Sequence, residues 1–333
     1  MGRERDKAKR DTAKRDTERA SGRFATLWQR YTDPWKSSFG QIALVAAFFV
    51  VMGLLAIYMW GRFSHRILAG KEYVVTAENI HIPPLPPWIR TDLKSEAIVS
   101  GSLENLNVQQ EDLSPRVAAA FKMHPWVSEV RRVTKRYPAQ VTIDLNYRRP
   151  IAMVEVLYRV DPEGNFDPEG TAYKKGLYPV DPEGTLLPPA GFTAEEALQF
   201  PRIIADEATP NGTPGTAWGD PRIHGGAKIA QLLAKSWRRL QLDSITAHRD
   251  QLSSMSTAAA TYELLTVQQT TIVWGHAPGE EERGEPRAER KVQRLLGFIG
   301  KHGSLDAVSP GEVIDLRQSD KLSVASREDI DLQ

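Results

Sequence analysis

The sequence predicts an α+β protein behind a single transmembrane helix: first a β-α-α-β-β segment, then a mixed α/β domain with an antiparallel β-sheet. Three observations carry that prediction. Residues Gln41–Trp60 form an uncharged apolar run. Val141–Tyr147 alternates apolar and polar residues after two helical patterns. Beyond Pro150, short apolar runs are punctuated by Asp-Pro-Glu-Gly tetrads.

At ~1.5 Å per residue, about twenty helical residues cross a hydrocarbon core ~30 Å thick. Gln41–Trp60 has that length, with Trp28, Trp35, Tyr58 and Trp60 around or at its ends, where amphipathic rings favour the headgroup zone. The run exceeds the apolar stretch of a cleavable signal peptide and follows a long leader, so it reads as an uncleaved signal anchor. Residues 1–40 carry eleven Lys/Arg against six Asp/Glu, whereas only Arg62, Arg66 and Lys71 closely follow the span. The positive-inside rule therefore puts the N-terminus in the cytoplasm and the rest outside it. The tail 1–40 offers little to bury at its start, and its charge suits contact with anionic lipid rather than a fold. The chain has no cysteine, which excludes disulfides, thiolate metal sites and a cysteine nucleophile.

A first domain is predicted over 72–150. Tyr73–Ile82 reads as a strand. Pro83-Pro84-Leu85-Pro86-Pro87 then forbids helix and sheet. Asp92–Val99 reads as a short helix. A second helix is expected to start with Ser114 as cap and Pro115 at its first position, with Val117, Ala120 and Phe121 on one face, and to end before Pro125. Val127–Arg136 follows as a strand whose irregular alternation suggests a bulge. Tyr137-Pro138-Ala139-Gln140 turns it back into Val141–Tyr147, a half-buried strand by its period of two.

A second domain is predicted over 151–325, with 326–333 as a tail. The tetrads Asp161–Gly164, Asp167–Gly170 and Asp181–Gly184 suit type I turns and lack the ligand spacing of a calcium loop. They bound strands at Ile151–Val160, Gly176–Val180 and a short run near Thr185–Leu187. Thr193–Leu198 reads as a short helix and Glu207–Gly226 as a loop. Lys228–Leu242 is the clearest soluble helix, with Ile229, Leu232, Leu233, Trp237 and Leu240 on one stripe. Strands are expected at Tyr262–Gln268 and Thr270–Trp274. The charge run Glu280–Arg290 should lead into an amphipathic helix at Lys291–Ile299, and Val313–Arg317 should be a closing strand that Leu322 and Val324 extend.

The run His124-Pro125-Trp126-Val127, then Arg136-Tyr137-Pro138, Val141-Thr142-Ile143 and Arg148-Arg149-Pro150-Ile151-Ala152, resembles a POTRA domain. In particular it is similar to that of the FtsQ/DivIB cell-division family. Tyr178-Pro179-Val180-Asp181 through Gly184, and Val313-Ile314-Asp315-Leu316-Arg317, resemble segments of that family's β-domain. Tyr147 departs from the family pattern, which has Glu there, and the loops around 161–175 and 207–226 are longer than its compact form.

No catalytic constellation is visible. The seven histidines are scattered without a His-Glu-x-x-His, and neither Gly-x-Ser-x-Gly nor a Walker loop occurs. His124 reads as a helix-end residue and His224 as a loop residue. Asp315, the best lone candidate acid, reads as a hydrogen-bonded structural residue. The expectation is a protein without enzymatic activity, cofactor, metal, nucleic acid or small-molecule substrate. The resemblance implies an inner-membrane division scaffold at the septum, with partners of the FtsB/FtsL type bound by strand addition at the end of the β-domain, on Asp315, Leu316, Arg317, Lys321, Leu322, Ser323 and Val324. Arg131, Arg132, Lys135 and Arg136 offer a basic recruitment face, or a strand face that its charges keep soluble. The competing readings are an envelope export component carrying a POTRA domain and a membrane-anchored cell-wall enzyme.

Overall fold

A computed structural model describes residues 38–68, 73–104, 106–161, 171–249, 260–318 and 322–327, together with 163, 167 and 169. The basic segment 1–37, half of the first two tetrads, Lys321 and 328–333 lie outside the described residues. The chain divides into two units, Met1–Lys71 and Glu72–Gln333.

In the first unit, helix α1 runs Ser38–Leu68, longer than the apolar run alone. Its stretch Gln41–Arg62 has a mean hydropathy of 2.7 and is 0% buried, so among the described residues there is one helix long and apolar enough to cross a membrane.

The second unit begins with a broken strand. The predicted Tyr73–Ile82 splits into β1 (Val74–Val75) and β2 (Ile80–His81), separated by a 3-10 turn at Ala77–Asn79. Helix α2 (Leu93–Ser100) is capped by Asp92, whose Oδ1 accepts from Ser95 N at 3.1 Å. After β3 (Leu106–Asn107), helix α3 occupies Leu113–Lys122. Its start is a correction. Asp112 is the N-cap, without a side-chain bond, and Ser114 lies inside the helix. The backbone bond from Arg116 N to Asp112 O and the complete burial of Leu113 set the start two residues earlier than Ser114 would.

β4 (Val127–Arg136) and β5 (Gln140–Tyr147) pair antiparallel with register shifts at Val127/Glu129 and Val130/Arg132, which are the expected bulges. β2 adds in parallel to give the order β2-β5-β4. Val117, Phe121, Trp126, Val141 and Ile143 fill the core between helices and sheet, and Leu187 from far along the chain joins them.

The remaining strands form one eight-stranded sheet, ordered β13-β12-β11-β10-β9-β8-β6-β7. β6 (Ala152–Val160) and β7 (Ala172–Val180) make a hairpin. Thr193 caps the short α4 (Ala194–Ala197) in a reciprocal capping box with Glu196. Then come β8 (Arg202–Ala205), α5 (Pro221–Leu233), β9 (Leu242–Arg249), β10 (Ala260–Thr266), β11 (Thr271–His276), α6 (Ala288–His302), β12 (Glu312–Asp315) and β13 (Ser323–Ser326).

The sheet is mixed, not antiparallel as expected: β6–β8, β8–β9 and β11–β12 are parallel. Parallel neighbours need crossovers. Helix α5 carries the chain from β8 to β9, and α6 from β11 to β12. The predicted loop 207–226 and helix 228–242 are shifted as well. Asp220 caps α5 through Arg222 N at 2.9 Å with Pro221 at its first position, so the helix starts inside the expected loop. It ends at Leu233, and consecutive turns over 234–241 carry Trp237 and Leu240 into the same core. Near Thr185–Leu187 there are only isolated bridges, Val180 to Leu186 and Thr185 to Ala217.

Candidate functional site

Strand β12 is internal, between β11 and β13, and β13 forms one margin of the large sheet. Leu316 N donates to Val273 O, and the register sets Val313 and Asp315 opposite Ala325 and Ser323. Successive residues of a strand aim their backbone groups at opposite neighbours, so those four residues carry the β12–β13 bonds and Val324 aims its N–H and C=O outward.

Beside this margin is a groove of about 620 Å³ under the last turns of α6. Phe298, Val308, Leu322 and Val324 give it apolar walls, and Arg294, Lys301 and His302 bring positive or protonatable groups. Phe298 and His302 stack with ring centroids 4.4 Å apart, and Gly303 at φ +84° ends the helix there. One acidic residue, Glu312, lines the same groove.

Of the residues marked from sequence for this region, Leu322, Ser323 and Val324 lie at the margin. Asp315 and Leu316 are 2% and 0% exposed. Asp315 accepts from its own neighbour's backbone, Arg317 N, at 2.8 Å, and pairs with the Arg317 guanidinium at 3.0 Å. Its carboxylate holds the strand end in shape. No family model matches the chain, and no curated protein matches it.

Behind the groove helix sits a buried ionic cluster that periodicity did not reveal. Lys291 lies among apolar helix positions, fully buried, with Nζ 2.6 Å from Glu285 Oε1, 2.7 Å from Trp274 O and 5.0 Å from the Trp274 ring centroid. Glu285 Oε2 meets His276 Nδ1 at 2.8 Å. Burial alone would raise the Glu285 carboxyl, but bonds from Lys291 and from the N–H groups of Glu282 and His276 hold it below its usual range. Burial lowers the Lys291 ammonium, and Glu285 only partly offsets it. Gly275, at φ +88°, makes room: a Cβ there would stand 2.0 Å from Glu285 Oε1.

In the smaller sheet, β4 is the outer strand. Arg131, Arg132 and Arg136 are exposed on it, and Lys135 donates to Gln110 O at 2.9 Å. His124 is buried at the α3 end, its Nε2 3.0 Å from Glu96 Oε2 and its Nδ1 accepting from Trp126 N. His224 is a correction: it lies within α5, not in a loop, with Nδ1 2.9 Å from Glu183 O.

Proposed function

We propose that this chain is a bitopic scaffold of the FtsQ/DivIB kind, anchored by α1 and binding division partners of the FtsB/FtsL type to regulate septal peptidoglycan synthesis. One observation carries the reading: the outward backbone of Val324 lies beside an apolar groove with a cationic rim. An added strand gains main-chain bonds from such a margin, and an adjoining groove selects its flanking side chains. Asp315, Leu316 and Arg317 support the margin from behind, while Leu322, Ser323 and Val324 receive the partner. The segment 73–147, with two helices against a three-stranded sheet in the order β2-β5-β4, supports the POTRA comparison, and β4 supplies the recruitment face. The N-terminus is cytoplasmic, and the unit 72–333 faces the other side of the membrane.

The test is a photocrosslinking residue at Leu322, which lines the same groove, in the full-length protein, in dividing cells of its own host. The expected product joins it to a single-span coiled-coil division protein. Val324→Pro removes the outward N–H while leaving the β12 bonds in place, and should abolish that product. Retention of the product in Val324→Pro, or an even envelope distribution of the protein in dividing cells, would overturn the reading.

A further inference from the structure

The chain enters its second unit at one pole of the smaller sheet. Tyr73 is the first described residue of that unit, and four residues, 69–72, separate it from the end of α1 at Leu68. Five Cα steps extend at most about 18 Å, so Tyr73 is the part of the unit most tightly tethered to α1. Its backbone O accepts from Val108 N at 2.8 Å, and its ring centroid lies 5.8 Å from that of Tyr137, in the turn between β4 and β5. Near the end of β4, Lys135 donates to Gln110 O at 2.9 Å. The register of β2 on β5 sets Ile80 beside Val141, which brings the turn Ala77–Asn79 to the same end of the sheet.

The residues at this pole suit a membrane–water interface. Tyr137 is 67% exposed, and Arg136 and Pro138 on either side of it are exposed as well. Tyr73 is half-buried, so its tilted ring braces Tyr137 from within the fold. Glu78 and Glu111, both exposed, offset Lys135 and Arg136, which leaves the pole with little net charge. A tyrosine has an apolar body and a hydrogen-bonding end, and favours headgroup depth. A guanidinium pairs bidentately with phosphate. An exposed ring beside an exposed guanidinium therefore fits a lipid headgroup layer without requiring that the layer be strongly anionic.

Exposure alone does not single out this pole. Met123 is 84% exposed, and it closes α3 four residues before β4 begins at Val127. From Val127 to Arg136 the strand runs about 30 Å, so Met123 and Tyr137 mark opposite ends of the small domain. The point of entry decides between them: Tyr137 touches Tyr73, the tethered residue, and Met123 is at the far end. Arg132 is about 13 Å back from Arg136 along the same strand, which leaves Arg131 and Arg132 to the recruitment face.

We infer that this pole, with Arg136 and Tyr137 at its tip, is a lipid-docking surface that rests in the headgroup layer of the bilayer holding α1. One ring and one guanidinium bind lipid weakly, but the short tether makes the contact intramolecular, so weak binding is enough. A second contact beside the anchor removes the swivelling that a lone tether allows, and presents the domain to membrane partners in one orientation. The contact uses neither the β13 margin nor its groove, so it stands or falls separately from the function proposed above.

The absence of cysteine makes the test clean. Full-length Gln140→Cys and full-length Met123→Cys, both at exposed positions, each carry one small fluorophore. They are reconstituted in vesicles of phosphatidylethanolamine and phosphatidylglycerol that contain a lipid with a nitroxide quencher on its headgroup. The expected result is strong quenching at 140 and little at 123. Tyr137→Ala with Arg136→Gln should abolish the excess at 140 and leave the signal at 123 unchanged, which separates undocking from unfolding. Tyr137→Trp keeps an interfacial ring and should retain the excess. Equal quenching at the two positions, an excess at 140 indifferent to Tyr137→Ala with Arg136→Gln, or its loss in Tyr137→Trp would each overturn the proposal.

Discussion

Lys291 Nζ lies 2.6 Å from Glu285 Oε1, and neither side chain reaches solvent, at 0% and 5% exposed. A pair so enclosed gains little over an apolar pair, but removing one member strands the other. The consequences differ for the two partners. Glu285→Gln leaves Lys291 with Trp274 O and only the more distant charges of Glu281 and Asp315, and should cost about 3–5 kcal/mol. Lys291→Met should cost less, because Glu285 keeps His276 N at 2.9 Å, His276 Nδ1 at 2.8 Å and Glu282 N at 3.0 Å. Urea denaturation of the full chain in detergent, followed by circular dichroism, checks the order.

The pH dependence has two arms of opposite sign. Glu285 titrates below its ordinary value in the folded state, so its contribution is present above pH 4.5 and is lost as pH falls through the folded value. His248 is the reverse. The Glu263 carboxylate, 3.6 Å from its Nε2, holds the imidazole above 6.5. Its contribution is complete below pH 6.5 and is lost as pH rises through the elevated value. His248→Gln should flatten the change in stability on the alkaline side of pH 6.5, and Glu285→Gln the change below pH 4.5, in denaturation series across both windows.

Two glycines should respond in opposite directions. Gly275 combines φ +88° with a Cβ position 2.0 Å from Glu285 Oε1 and 3.0 Å from Arg317 Cγ, so Gly275→Ala should destabilise by more than about 1 kcal/mol. Gly300 lies inside α6, and a methyl group added there would meet nothing within 4 Å, so Gly300→Ala should stabilise by about 0.5–1 kcal/mol. Midpoints of urea denaturation decide both.

What the sequence made legible follows from which physical signals are local. The period of two in Val141–Tyr147 and the irregularity of Val127–Arg136 carried through to β5 and a bulged β4. The short helices expected to begin at Asp92 and Thr193 formed, with those two residues as their caps, because capping needs only residues three apart. The parallel pairing of β8 with β9 was not legible, since β9 itself gave no strand signal. Its Leu242-Asp243-Ser244-Ile245-Thr246-Ala247-His248 has few apolar residues and adjoins a helical stripe that tertiary packing, not a continuous helix, brings to the core. At the margin, Leu322 and Val324 were expected to extend the closing strand, whereas Val324 belongs to a separate strand, β13, that folds back antiparallel on β12. Lys291 was not legible, because a lysine inside a charged segment gives no sign that Glu285 and Trp274 wait for it in the fold. The place of β7 at a margin of the large sheet was equally hidden, since strand order is a non-local property.

Neighbouring residues Leu186 and Leu187 enter different cores. Leu186, bridged to Val180, packs with the large-sheet cluster, and Leu187 packs with Phe121, Trp126 and Val141. Extended backbone turns successive side chains to opposite sides, so one short segment fastens both cores, and Phe192 adds a ring contact to Trp126 at 6.4 Å between centroids. Leu187→Ala should therefore cost about 2–5 kcal/mol and act mainly on a core formed by residues far earlier in the sequence. Amide hydrogen exchange should accelerate in β4 and β5, with a smaller effect around α5. Leu186→Ala should give the opposite distribution. If Leu187→Ala loosened only residues 179–187, the shared core would be wrong, and the segments 73–147 and 151–327 would unfold as independent bodies.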